Sequence, residues 1–263
     1  STSGGYKIDR YRFGEAFGND LIITFFSPSI INDSGTYYPS PDGQDGAEHS
    51  DRIEILNTYA NSATEIINSS YENADGWAVL DFGLNSITMH GVSKEDLKPD
   101  WFHIIPKIEN SIYGTDEDDE LLGTNQNDLI EGSRDAKGRF DDGDDVLNGG
   151  EGDDVLVGGP NKKGVGGWSR DTYVFDDNSG NDLIVGFFHD QEDDGVITVG
   201  DYNDVIRIKA NVNETNIEDF NSVLERTNDN EDGWAVIDLG SGNSITIHGI
   251  RKDQLISRNF IIF

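Results

Sequence analysis

The chain has 263 residues, room for two domains or three small ones, and its 51 Asp and Glu against 19 Lys and Arg give a formal net charge of −32. That balance argues against nucleic acid or an anionic membrane surface as a direct partner. Aromatic residues at 10% argue against a disordered acidic chain, the absence of cysteine excludes disulfides and thiolate metal sites, and no apolar run approaches the ~20 residues of a membrane-spanning helix.

In chain order, residues 1–110 read as a first β-rich unit. Ile87 and Met89 alternate with Ser86, Thr88 and His90, the period of a half-buried strand, and Gly83 marks a hairpin turn before it. Ile66 and Ile67 permit one short helix. The segment from Ser27 to Ser50 reads as an insertion carrying Tyr37, Tyr38, Asp42, Asp45, Glu48 and His49. A tyrosine pair near carboxylates is a candidate sugar platform, with a disordered loop as the alternative.

Residues 111–165 carry a repeat. Asp119, Asp128, Asp145, Asp154 and Asp171 are spaced by 9, 17, 9 and 17 residues, and two positions after each stands Leu121, Ile130, Leu147, Leu156 or Tyr173. Glycine precedes most of these aspartates, most fully in Gly149-Gly150-Glu151-Gly152-Asp153-Asp154. Glycine tolerates the positive φ of a tight turn, and the turn's carbonyls with the aspartate offer hard oxygen ligands, which suit calcium better than zinc or copper. The candidate metal ligands are Gly114, Asp116, Asp119, Gly123, Asn125, Asp128, Asp142, Asp145, Gly149, Glu151, Asp154, Gly166 and Asp171. Gly132–Phe140 and Pro160–Val165 depart from the repeat and read as extruded loops.

The nonapeptide pattern resembles the calcium-binding RTX repeats of type I-secreted bacterial proteins. That resemblance implies a short parallel β-roll whose turns alternate sides, so that each ion lies between turn n and turn n+2. Asp119 is then expected to pair with Asp145, Asp128 with Asp154, and Asp145 with Asp171.

Residues 166–263 repeat the first unit. Gly18-Asn19-Asp20-Leu21-Ile22 matches Gly180-Asn181-Asp182-Leu183-Ile184, Asp75-Gly76-Trp77-Ala78-Val79 matches Asp232-Gly233-Trp234-Ala235-Val236, and Ser86–Gly91 matches Ser244–Gly249. A hairpin is expected at Gly240–Asn243 and a short helix within Asn216–Arg226. The recurrence of Trp77 and Trp234 favours core packing over sugar stacking, and His90 and His248 read as solvent-facing. Asp20 and Asp182 are further candidate calcium ligands, with a plain Asn-Asp turn before a strand as the alternative.

Phe175, Gly180, Asp182, Ile184, Asp204, Ile206, Ile237-Asp238-Leu239-Gly240, Ile245-Thr246-Ile247, Gly249, Leu255 and Phe260 resemble the C-terminal domain of serralysin-type proteases and RTX adhesins. The resulting expectation is an all-β chain: a cap over 1–110, a calcium-binding β-roll over 111–165 and a homologous cap over 166–263, each cap a small antiparallel β-sandwich. Because a cap follows a roll, Gly4–Asp9 is read as the tail of an earlier repeat in a longer protein. The chain carries neither H-E-x-x-H nor G-x-S-x-G. The functional expectation is a non-enzymatic, secreted or cell-surface calcium module of an adhesin that binds a glycan or cell-surface polymer, without membrane insertion. The alternative is the non-catalytic secretion and targeting tail of an extracellular polysaccharide-acting enzyme.

Overall fold

Apolar residues at every second position, cut short by Gly, Asn and Asp, leave the chain only brief strands to build with. The computed structural model describes residues 10–13, 19–22, 52–132, 143–159, 169–188 and 203–263. Among them β-structure predominates, in two units, Ser1–Ile105 and Pro106–Phe263. No helix among the described residues is long and apolar enough to cross a membrane.

In the first unit, β1 (Arg10–Phe13), β3 (Arg52–Leu56) and β7 (Phe102–Ile105) form one parallel sheet in the order β1-β3-β7. A second sheet runs β2-β6-β5-β4, from β2 (Asn19–Ile22), β4 (Tyr71–Glu72), β5 (Ala78–Asp81) and β6 (Ser86–Met89). The helix α1 (Ala63–Ser69) starts where the Ser62 hydroxyl accepts the Glu65 N–H at 3.0 Å, and it buries Ala63 and Ile66.

The second unit opens with β8 (Asn110–Tyr113), β9 (Glu120–Leu122), β10 (Asp128–Glu131), β11 (Val146–Asn148), β12 (Val155–Val157), β13 (Thr172–Phe175), β14 (Asn181–Val185) and β15 (Val205–Ile208). Consecutive strands alternate between two sheets, and each pairs in parallel with the strand two places on. The unit closes with α2 (Phe220–Glu225), β16 (Thr227–Asp229), β17 (Ala235–Gly240), β18 (Asn243–Ile247) and β19 (Phe260–Ile262). The completed sheets run β16-β17-β18-β14-β12-β10-β8 and β19-β15-β13-β11-β9.

The duplication extends to the pairing. β2 and β6 pair in parallel as β14 and β18 do, β3 and β7 as β15 and β19, and both hairpins are antiparallel. Finer devices recur as well. Asn73 Oδ1 accepts the N–H groups of Asp75 and Trp77, as Asn230 Oδ1 accepts those of Asp232 and Trp234. Both expected helices and both hairpin turns fall where the sequence places them.

Two expectations need correction. The repeated units are not antiparallel sandwiches: among the described residues only the hairpin strands β4–β6 and β16–β18 are antiparallel, and the other pairings are parallel. In the second unit the reason is that β14 and β15 extend the ladders begun by β12 and β13 and inherit their direction. One core cluster runs from Ile130 through Leu147, Leu156 and Tyr173 to Phe260, and both sheets of the second unit draw strands from before and after residue 165. The histidines also differ: His90 is exposed, but His248 is buried against Trp234 at a ring separation of 4.3 Å.

Candidate metal centre

Each repeat places its aspartate immediately before a strand or at its first residue. Strands two apart are adjacent in a sheet, ~4.8 Å from one another. The aspartates therefore stack into columns. Along the five-stranded sheet, Asp119 N–H donates to Asp145 Oδ1 at 2.9 Å, Asp145 N–H to Asp171 Oδ1 at 3.1 Å, and Asp171 N–H to Asp204 Oδ1 at 3.0 Å. Along the other sheet, Asp128 N–H donates to Asp154 Oδ1 at 2.7 Å and Asp154 N–H to Asp182 Oδ1 at 2.9 Å. The three expected pairings are among these contacts.

Neutral amides meet the columns at Asp128 and Asp204: Asn110 Nδ2 donates to Asp128 Oδ1 at 2.8 Å and Asn259 Nδ2 to the Asp204 carbonyl at 2.9 Å, while Asn243 Oδ1 accepts the Gly180 N–H at 2.8 Å, two residues before Asp182. An amide at a column end adds a hydrogen bond without adding another buried charge. Asp204 and these asparagines were not among the sequence candidates. Asp204 precedes Val205-Ile206 as Asp171 precedes Thr172-Tyr173, but a step of 33 residues in place of 26 hides it from a nine-residue ruler.

At Asp145, Asp154 and Asp171 one carboxylate oxygen thus serves the column, and the other points at glycine. A Cβ on Gly132 would lie 2.1 Å from Asp145 Oδ2, and one on Gly149 would lie 2.0 Å from Asp154 Oδ2. Asp145, Asp154 and their Oδ2 atoms are buried, and those two atoms have no hydrogen-bond partner among the described residues. Burial, reinforced by the neighbouring carboxylates Asp119, Asp118 and Asp144, pushes Asp145 up to about 7, against the lowering effect of the Asp119 N–H. Asp154 is pushed to about 7 as well, by burial and by Asp128 and Asp153. Burial carries Asp182 well above the usual carboxylate range.

Among the described residues no three Asp, Glu or His side chains converge on one point. An ion here would draw on backbone carbonyls and few carboxylates, a donor set calcium accepts. The stacked turns bring carbonyls close: a Cβ on Gly123 would lie 1.9 Å from the Gly149 oxygen, one on Gly114 2.0 Å from that of Gly132, and one on Gly180 1.8 Å from that of Gly152. Orphaned buried oxygens, glycine cradles and oxygen-only donors together fit a hard divalent cation.

The other candidates are placed as follows. Asp116 is half-buried, whereas Asn125 and Glu151 are exposed on the outside of their turns. Asp20 is half-buried on β2, beside Ile87 of β6. Asp142, Gly166, Tyr37 and Tyr38 lie outside the described residues.

No protein-family model and no curated protein matches the chain. Among solved structures, it is similar to the extracellular lipase LipA from Serratia marcescens at 15% identity and a TM-score of 0.32. The match covers 96% of this chain and 35% of that one, so the chain spans about a third of the lipase's length. A likeness at that level carries no functional argument.

Proposed function

We propose that the chain is a calcium-binding RTX module of a secreted bacterial protein, with residues 111–165 forming a β-roll that calcium completes and the flanking units acting as caps. The buried, unpartnered Oδ2 atoms of Asp145 and Asp154, each aimed into a glycine turn, carry this reading. A buried carboxylate oxygen without a donor is costly, and a hard cation is what offsets it where glycine leaves room. Asp145, Asp154, Asp171 and Asp182 would hold the ions, with carbonyls of the turns about Gly149 and Gly180. Bound calcium supplies cross-links between turns and neutralises the column charge.

The module is non-enzymatic, and its role is structural or adhesive, toward a glycan or cell-surface polymer. A net charge of −32 disfavours a polyanion unless calcium bridges it. The favoured ligand is therefore a neutral sugar, or an acidic polysaccharide held through the ion, with Tyr37 and Tyr38 as the stacking candidates. Equilibrium dialysis against calcium tests the first claim, which expects saturable binding near 10⁻⁴–10⁻³ M, the range of extracellular modules. A glycan array with and without calcium tests the second. Glycan binding that survives chelation, or turnover of a polysaccharide by the isolated chain, would reject it.

A further inference from the structure

The turns differ in how they treat the second oxygen of their aspartate. In the turn before β9, Asp119 Oδ2 accepts the Thr115 N–H at 2.6 Å and the Thr115 hydroxyl at 2.9 Å. The turn before β10 repeats this, with Thr124 donating to Asp128 Oδ2 at the same two distances. Four residues before Asp154 stands Gly150, whose N–H goes instead to Asn148 Oδ1 at 3.0 Å. Four before Asp182 stands Asn178, whose N–H goes to Asn213 Oδ1 at 2.9 Å. In both later turns an asparagine side chain draws away the N–H four residues before the aspartate.

The backbone differs in the same places. Gly150 and Gly152 have φ of 92° and 115°, and Asn178 and Gly180 have 62° and 89°. None of Thr115, Glu117, Thr124 or Gln126 has positive φ. Left-handed residues at alternate positions rotate successive peptide planes, a rotation that lets a turn's carbonyls converge on an ion.

We propose that Thr115 and Thr124 close the first two turns to divalent cations, so that calcium seats only on the later turns. This rests on the calcium reading above. A carboxylate oxygen that already accepts an N–H and an O–H presents hydrogens where a cation would sit, and both bonds must break before it can ligate. Among the described residues Asp145 and Asp154 have no donor on Oδ2 to displace, and each is buried with that atom aimed at glycine. The threonines give the first two aspartates internally what the ion gives the later ones.

Native mass spectrometry of the full chain in calcium counts the ions. Asp128→Asn is expected to leave the count unchanged, whereas Asp154→Asn loses at least one ion. Thr124→Gly combined with Gln126→Gly gives the second turn the Gly-x-Gly spacing of Gly150 and Gly152, and the count is expected to rise by one. Loss of as many ions in Asp128→Asn as in Asp154→Asn overturns the proposal. So does a double variant that gains none, and that arm does not depend on Asp154→Asn folding. A wild-type chain that takes up no calcium sinks the calcium reading itself, and this inference with it.

Discussion

Asp154 carries two tasks on one carboxylate: its Oδ1 holds the Asp128 N–H in the column, and its Oδ2 faces the Gly149 turn. Asp154→Ala removes both, leaving a buried donor unsatisfied and deleting an ion ligand. In calcium it is expected to cost on the order of 3 kcal/mol or more, read by chemical denaturation. Asp177 is the same residue type and nearby in sequence, but it pairs at the surface with Lys209, so Asp177→Ala is expected to cost far less. Equal losses would show that the columns do not matter. The raised values of Asp145 and Asp154 have a consequence in pH. A folded carboxylate at about 7, against ~3.9 in an unfolded chain, favours the folded state when protonated. That contribution is complete below about pH 4 and is lost as pH rises through about 7. Calcium-free protein should therefore melt at higher temperature at pH 5 than at pH 8, and saturating calcium should shrink the difference. A metal-free melting temperature that rises from pH 5 to pH 8 would contradict this.

At the scale of the element, the turns and strands were legible wherever one residue type answers one physical demand. The apolar residue two places after each aspartate is in the core at Ile130, Leu147, Leu156 and Tyr173, because a strand of three or four residues has only one or two inward side chains to offer. The hairpins at Gly83 and Gly240–Asn243 were legible for the same reason. Strand direction was not, since Ile87 and Ile245 alternate alike in either sense, and only the neighbouring ladder decides. The asparagine ends of the columns escaped notice because Asn110, Asn243 and Asn259 share no spacing. Glycines that look equivalent in sequence should separate by experiment. Gly152 has φ of 115°, and a Cβ there would lie 2.7 Å from the Gln126 carbonyl, whereas Gly83 has φ of 78° and open space around it. Gly83→Ala is expected to cost roughly 1–2 kcal/mol from the left-handed backbone alone. Gly152→Ala adds a backbone clash to that and should cost about twice as much in thermal unfolding; equal costs would mean that the turns stack more loosely than described.

Taken as a whole, the chain concentrates its unresolved cost in the second unit. There the two columns bury Asp145, Asp154, Asp171, Asp182 and Asp204 beside a core only one inward residue deep per coil strand. Chain entropy and carboxylate repulsion weigh heavily on so thin a layer, and cations that offset them become part of the fold. Because β14 and β15 extend the coil's own ladders, loss of the ions should loosen the coil and the strands that continue it together. Hydrogen exchange by mass spectrometry, with calcium and with a chelator, tests this most directly. The expected result is that chelation strips protection from peptides spanning residues 143–159 and 169–188 while peptides spanning residues 78–105 keep theirs. Unchanged protection across residues 143–188 after chelation would contradict the claim that calcium completes the coil.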